Sequence, residues 1–257
     1  MNRNSRELKR LARENLTGHY QTPMAAFVCA SAITMALEFA FSMIQNNHPS
    51  VIQLATLAIA EFLIGLISAI LNVGILGIHL SMARHKTYDL RQLFSGFQNH
   101  PDRIIICAFL VTAATLVSAV PMFIGVVLFV LKQTALRAIL LAATALLSAV
   151  LGLILFFAFQ LVFYILLDHP KYSAITCLKE SIHLMNGHKG RCFYITLSFL
   201  GMDVLMLLSL GIGSLWIMPY QTQTYTLFYL DILGQVPDKD ASGETSSDST
   251  YTFNQYV

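Results

Sequence analysis

Charged residues are scarce in this chain. Only 12% of its 257 residues are Asp, Glu, Lys or Arg, and 56% are hydrophobic. A soluble globular domain carries about 25% charged residues, so the composition excludes that class of protein. The net charge of +2 is too small to indicate a nucleic-acid partner. The composition therefore predicts a protein whose surroundings are membrane lipids.

Sequence motifs of catalytic or metal chemistry are also missing. There is no P-loop, no G-x-S-x-G, no dinucleotide-binding fingerprint and no H-E-x-x-H. The four cysteines show no C-x-x-C spacing, which predicts free thiols rather than a metal or redox site. We therefore expect no metal and no cofactor, and the sequence favours a protein that is not an enzyme.

Long apolar runs are present instead. Five of them reach the roughly 20 residues that a helix needs to cross about 30 Å of hydrocarbon. These runs are Met24–Ile44, Val51–Met82, Ile104–Leu131, Ala138–Leu167 and Phe193–Met218. A sixth segment, 215–233, is aromatic but is interrupted by Pro219, Gln221 and Gln223. Hydropathy alone predicts five spans, and a sixth span requires that polar face to be buried against other helices.

An internal repeat favours six spans. The stretches LKRLARENLTGHY, DLRQLFSGFQNHP and CLKESIHLMNGHK begin at residues 8, 89 and 177, and each ends near a histidine (His19, His100, His188). Self-similarity of this kind indicates a repeated unit, here a basic helix followed by two spans. We predict an all-α membrane protein. It is a bundle of six, or alternatively five, transmembrane helices in three pseudo-repeats, each led by a cytoplasmic amphipathic helix.

The domain boundaries and the orientation follow from composition. We expect a membrane domain over residues 1–234, with repeats at about 1–85, 86–170 and 171–234. Residues 235–257 are acidic and rich in Ser and Thr, which predicts a disordered tail. Thirteen of the 16 Lys and Arg residues lie on alternate loops, and the positive-inside rule makes that side cytoplasmic. The N-terminus of this multi-pass protein is therefore expected in the cytoplasm.

The first copy of the repeat predicts a helix over residues 2–17. Asn4 and Glu7 have the spacing of a capping box, and Gly18 is a natural stop. Basic residues flank its apolar face and would meet anionic headgroups, namely Arg6, Arg10 and Arg13. Alternatively, such helices pack under the bundle. The apolar faces predicted for the three copies are Leu8, Leu11, Ala12 and Leu16; Leu90, Leu93, Phe94 and Phe97; and Tyr172, Ile175, Ile182 and Met185.

Three carboxylates, Glu38, Glu61 and Asp203, lie inside apolar runs. A charge there costs roughly 2.5–3.5 kcal/mol on insertion scales, so these residues are functional candidates. If they converge, they would share protons or a cation. Alternatively, each is neutral and bonded to a hydroxyl or amide of a neighbouring helix, with Thr34, Ser68 and Asn72 as candidate partners.

The histidines and the last glycines allow two interpretations each. His19, His100 and His188 either contact headgroups or form a ring that titrates near neutral pH, and His79 is expected to be interfacial. Gly211, Gly213 and Pro219 surround Trp216 and indicate either a simple helix break, with Trp216 at the interface, or a broken helix that lines a cavity.

The segment 181–233 resembles the signature of a bacterial membrane protein family, domain-of-unknown-function family 975. Asp203 departs from that signature, which is aromatic or apolar in its neighbourhood. The resemblance implies a bacterial plasma membrane protein and supplies no mechanism. The residues that carry it include Ser181, Met185, Gly187, Gly211, Gly213, Trp216, Pro219, Tyr220, Thr224 and Tyr229, with Leu8, Lys9 and Ala12 near the N-terminus.

Three functional hypotheses follow. The favoured one is a non-enzymatic membrane component that binds anionic lipid on the cytoplasmic side or an unidentified membrane protein partner. The second is a small proton- or cation-coupled transporter that uses the intramembrane carboxylates. The third is a membrane-embedded enzyme that processes lipid.

Overall fold

The computed structural model describes residues 3–43, 50–98 and 101–236, and every regular element within these ranges is helical. This result confirms the prediction of an all-α chain. His100, residues 44–49 and residues 237–257 of the predicted tail 235–257 lie outside the described residues. The elements are α1 Ser5–Leu16, α2 Gln21–Ser42, α3 Val51–Ala83, a 3₁₀ helix Leu90–Phe94 continued by α4 Ser95–Gln98, α5 Pro101–Leu131, α6 Ala135–Phe159, α7 Val162–Asp168, α8 Ala174–Leu184, α9 Lys189–Leu197, α10 Leu200–Leu208 and α11 Ser214–Ile232.

Five stretches of the described chain are long and apolar enough to cross a membrane. They are Gln21–Ser42, Ala55–Ala83, Pro101–Leu131, Ala135–Asp168 and Lys189–Leu208. Most of their residues lie on the outside of the bundle, as expected for helices whose solvent is lipid. The chain is thus a multi-pass membrane protein by composition and helix length.

The fifth predicted run, Phe193–Met218, is not one helix. The chain bends at Ser198 between α9 and α10 and turns again before α11. Leu210 and Gly211 adopt positive φ angles of 52° and 87°, which end the helical path. Pro219 lies inside α11 and does not take part in this break.

Helices α5 and α6 form a hairpin held by close contacts of small residues. A Cβ atom on Gly125 would lie 2.1 Å from Thr144 Oγ1, so any larger residue would force the Thr144 side chain to move. The Met122 N–H donates to Ser148 Oγ across the same interface at 2.9 Å. Arg137 donates to the Leu128 carbonyl near the end of α5 at 2.8 Å, which ties the turn together.

Helix α11 is the most enclosed helix of the molecule, although it is too polar to count among the five apolar stretches. A polar helix can be buried here because its threonines are satisfied within the helix. The hydroxyls of Thr222, Thr224 and Thr226 each donate to the carbonyl four residues earlier. The hydroxyls are satisfied within the helix, so their burial costs little. Helices α1, α2, α3 and α10 pack around it.

The predicted N-terminal helix exists over Ser5–Leu16, without its predicted capping box and with its apolar face packed on the protein, which was one of the two alternatives. Asn4 occupies the cap position but its side chain makes no capping hydrogen bond, so the predicted capping box does not form. Gly18 has a φ of 82° just after the helix, as expected for a stop. The stripe Leu8, Ala12 and Leu16 is fully buried against α11, so it does not face lipid in this structure.

The second and third copies do not reproduce the first. In the second copy a 3₁₀ helix buries Leu93, whereas Phe94 and Phe97 are exposed. Its approach to α3 is so close that a Cβ on Gly74 would lie 2.1 Å from the Leu93 carbonyl oxygen.

In the third copy only Met185 of the predicted apolar face is buried in the bundle. Ala174, Cys177 and Ser181 are buried, whereas Tyr172, Ile175 and Ile182 are exposed. Small side chains therefore let α8 approach the bundle. The threefold repeat itself stays a prediction.

Candidate functional site

A basic pocket of about 440 Å³ lies between α1 and the helices α10 and α11. Four cationic side chains line it against one carboxylate, which leaves a positive surplus. Met202 and Tyr220 supply an apolar wall. The lining residues, which define the basic pocket, are Arg6, Lys9, Arg10, Arg13, Glu14, Thr17, Met202 and Tyr220.

Aromatic rings position two of these cations. The Lys9 ammonium lies 3.8 Å from the centroid of the Phe199 ring and donates to the Ser198 carbonyl at 2.7 Å. Burial lowers the pKa of Lys9, and the neighbouring Arg13 lowers it further, while Asp203 raises it. The Arg13 guanidinium lies 5.8 Å from the centroid of Tyr220. The pocket therefore holds fixed cationic groups beside an aromatic surface, and one of its arginines, Arg10, is paired with Glu14 at 2.6 Å.

Two ion pairs hold the C-terminal half of α11. Arg191 pairs with Asp231 at 2.5 Å, and the backbone N–H of Arg3 donates to the same carboxylate at 3.2 Å. On another face, Arg84 donates two hydrogen bonds of 2.6 Å to Asp168, and the Tyr229 hydroxyl donates to Asp168 at 2.8 Å.

The Asp168 hydrogen bonds raise the pKa of Arg84, and burial opposes this effect. The bidentate geometry favours the charged guanidinium. Tyr229 is also stacked on Tyr164, with 5.2 Å between the ring centroids. These contacts lock one end of the bundle.

Three adjoining cavities of about 210, 360 and 390 Å³ meet at Asn72 on α3, which lines all of them. Ser68 lines two of them, and Thr222 of α11 lines two. Glu61 lines the cavity between α3 and α5. We call this group the Asn72 cavities. Their polar lining is unusual for a surface between apolar helices.

A buried polar pair lies further along the same helices. His79 is 1% exposed, and its Nδ1 lies 2.7 Å from Gln223 Oε1. The remaining polar atoms of the pair, His79 Nε2 and Gln223 Nε2, are buried and have no hydrogen-bond partner among the described residues. His79, for which an interfacial position was expected, is thus enclosed within the bundle.

The predicted carboxylates have different surroundings. Asp203 accepts a hydrogen bond from Gln221 of α11, Glu61 lines a cavity, and Glu38 is exposed on α2. No hydrogen bond joins any two of the three in the described part of the chain. Thr34, a suggested partner, donates instead to carbonyls of its own helix. The convergence of the carboxylates stays a prediction.

Two of the three closing histidines, His19 and His188, lie in different local surroundings. His19 is exposed and packs edge-on against Tyr88, with centroids 6.5 Å apart. His188 is half-buried at the start of α9, and its Nδ1 has no partner within the described residues. The proposed ring stays untested because His100 lies outside them.

The family-motif residues have structural roles. Gly187 has a positive φ of 84°, a conformation that favours glycine, and Gly211 shares this property. At Gly213 an added Cβ would lie 2.8 Å from Ser209 Oγ. Pro219 and Tyr220 are buried in α11, and Tyr220 packs edge-on against Phe199. Trp216 is exposed on the same helix.

Sequence reasoning missed the network around α11. Arg84 and Asp168 each stand just beyond a long apolar run, and this placement of opposite charges was the available signal. Asp231 and Gln223 gave no such signal, because both lie in a segment that several other polar residues interrupt. The described residues contain no group of three or more His, Cys, Asp or Glu that could hold a metal ion.

The helices and the site define a class, that of helical multi-pass membrane proteins. A family model described as "Protein of unknown function (DUF975)" matches residues 1–235, and the chain belongs to that family. The match confirms the resemblance seen in the sequence. The chain has no match among curated proteins or among solved structures.

Proposed function

We propose that this protein is a non-enzymatic component of the bacterial plasma membrane that binds anionic lipid headgroups on the cytoplasmic side. The basic pocket is the observation that carries the proposal. A phosphate group accepts charge-assisted hydrogen bonds from several cations at once, and arginine suits it geometrically. The apolar wall of Met202 and Tyr220 gives the adjoining acyl chain a surface to pack on.

The same proposal includes six spans and a cytoplasmic N-terminus. Helix α11 has 19 residues, and at about 1.5 Å per residue it is about 28 Å long, close to the thickness of the hydrocarbon layer. The distribution of Lys and Arg supports the orientation. A cleavable tag at each terminus tests both points: in inside-out vesicles both tags should be cut, and protection of the C-terminal tag would refute six spans.

The test of lipid binding compares the full-length protein with two triple variants. Arg6, Arg10 and Arg13 are replaced by alanine in the first. Lys and Arg residues outside the pocket are replaced in the charge-matched control (Arg91, Lys171 and Lys179). Purified protein in nanodiscs is titrated with a fluorescent phosphatidylglycerol, and phosphatidylcholine serves as the neutral probe.

We expect the pocket variant to lose preference for phosphatidylglycerol and the control to keep it. Diffuse surface attraction depends on the net charge, which falls equally in the two variants, so only a formed site separates them. Equal losses would show general surface potential rather than a site. No loss in either variant would direct the search toward a protein partner.

A second candidate function is transport coupled to protons or a cation, and the observation that favours it is Glu61 beside the Asn72 cavities. Proteoliposomes with an entrapped pH dye measure proton flux. A combined Glu38→Gln, Glu61→Gln and Asp203→Asn variant should abolish the flux if this function holds. Unchanged flux in a folded variant would eliminate the carboxylates as carriers.

A further inference from the structure

Four polar residues of α3 lie on one line along the helix. They are Glu61, Ser68, Asn72 and His79. At about 100° per residue these positions fall within an arc of about 40°, and the 18 residues from first to last extend about 27 Å. A polar stripe of that length on one helix reaches across almost the whole hydrocarbon layer. We call it the α3 stripe.

The three outer members of the α3 stripe line the Asn72 cavities. Helix α11 contributes Thr222, and α5 contributes Thr112 and Thr115. Apart from Glu61, the lining residues of all three cavities carry no charge. Neutral hydroxyl and amide groups therefore dominate the polar part of the wall.

The inner end of the α3 stripe has unused hydrogen-bonding capacity of a definite kind. If Nδ1 of His79 is protonated, it donates to Gln223 Oε1, which leaves His79 Nε2 as an acceptor and the Gln223 amide as a donor. If the amide is turned round, the Gln223 oxygen is the acceptor and His79 Nε2–H the donor. Either assignment leaves one donor and one acceptor.

A hydroxyl group satisfies that pair of requirements, because it donates and accepts at once. A cation would bind the free acceptor of the pair but would be repelled by the free N–H donor. An anion would bind the N–H donor but would be repelled by the acceptor. Below the pair, the inner part of α3 is buried, including Leu80, Met82 and Ala83. The site is therefore closed on that side.

We propose that the α3 stripe and the facing residues of α11 form a water-accessible binding site for small neutral hydroxyl-bearing solutes, such as glycerol. The solute enters through the Asn72 cavities, which His79 and Gln223 do not line. Because both side chains are buried, the side chains between the cavities and the pair must move before the solute makes the contact at the inner end. The site is separate from the basic pocket and does not depend on lipid binding there.

Cysteine accessibility tests the proposal on the full chain in liposomes. Asn72→Cys is placed in a Cys29→Ser background and treated with a water-soluble, membrane-impermeant thiol reagent. The other native cysteines, Cys107, Cys177 and Cys192, are buried. Leu147→Cys is the control for a lipid-facing surface, since Leu147 is exposed on α6, and Arg91→Cys is the control for an aqueous surface.

Because the thiolate that reacts forms only in water, we expect Asn72→Cys to react on the order of tenfold faster than Leu147→Cys. Glycerol should slow the reaction at position 72 and leave the Arg91→Cys rate unchanged apart from viscosity. Gln223→Leu should remove the protection by glycerol. A rate at position 72 equal to that of Leu147→Cys would overturn the proposal in favour of a lipid-filled groove. Fast labelling without protection would overturn it in favour of a water-filled space with no solute site.

Discussion

Removal of the Asp231 carboxylate should be among the most destabilising single changes in this chain. Its side chain is 2% exposed, and it is the common acceptor for the Arg191 guanidinium and the Arg3 backbone N–H. Breaking a buried ion pair on one side costs roughly 3–5 kcal/mol. Arg191 is 24% exposed, so water recovers part of its solvation. We therefore expect Asp231→Ala to cost about 3 kcal/mol, the lower end of that range.

The assay is reversible unfolding of the purified protein in mixed micelles, titrated with a denaturing detergent and followed by helical circular dichroism. Glu7→Ala is the matched control. Glu7 pairs with Arg3 at 3.8 Å in the same part of the molecule but is 43% exposed. The Arg3 side chain is 7% exposed, but the Glu7 carboxylate that the substitution removes is in contact with water, and an i,i+4 pair of this kind contributes about 0.3–0.5 kcal/mol. The two variants therefore differ in burial more than in chemistry.

A double-mutant cycle with Arg191→Ala isolates the interaction free energy between Asp231 and Arg191. We expect the double variant to lose less free energy of unfolding than the two single variants lose in sum, because each single change removes the same interaction. Additive losses would mean that Asp231 acts through the Arg3 backbone alone. A loss for Asp231→Ala no larger than that for Glu7→Ala would refute the view that this carboxylate locks α11.

Two further predictions use pairs of similar residues in different surroundings. Gly74→Ala should destabilise the fold by more than about 2 kcal/mol, because the methyl group would overlap a backbone carbonyl, whereas Gly65→Ala on the same helix meets nothing within 4 Å and should stabilise by up to about 1 kcal/mol. The same detergent titration measures both, and equal effects would count against the packing of the 3₁₀ helix on α3. Tyr229→Phe loses the hydrogen bond to Asp168 and should cost about 1.5–3 kcal/mol, whereas Tyr194→Phe at an exposed site should be neutral. A neutral Tyr229→Phe would show that the stacked ring, and not the hydroxyl, holds α11.

The helices that face lipid could be predicted from the sequence because their signal is local. A run such as Ile104–Leu131 satisfies its backbone internally and its side chains with lipid, so no distant partner is needed. The observed α5 extends over that run with three more residues at its start. The turn with Lys132 was predictable for the same reason, since charge interrupts the run.

The burial of the first helix could not be predicted in this way. The stripe Leu8, Ala12 and Leu16 has the same pattern whether its partner is a lipid layer or a protein surface. Its actual partner is α11, more than 200 residues later in the chain. Periodicity shows that a face must be covered and does not identify what covers it.

The candidate site could be predicted from the sequence only in part. The basic residues of the pocket were predicted from their charge, whereas Met202 and Tyr220 are added only by the fold. The α3 stripe was partly visible, because Glu61 stood out in an apolar run. Its inner end was not, since the partner of His79 is a glutamine in a segment whose polarity had suggested a poor membrane helix.

The contact of Arg3 with Asp231 joins the two ends of the described chain. It can form only after α11 has been synthesised. A ribosome adds about 5–20 residues per second, so the N-terminal helix emerges roughly 10–40 seconds before α11 exists to cover it. During that interval an amphipathic helix with an open apolar stripe rests at the lipid surface, which is its natural environment. Completion of α11 then covers the apolar stripe of the helix. A segment that is synthesised late thus buries one that is synthesised early.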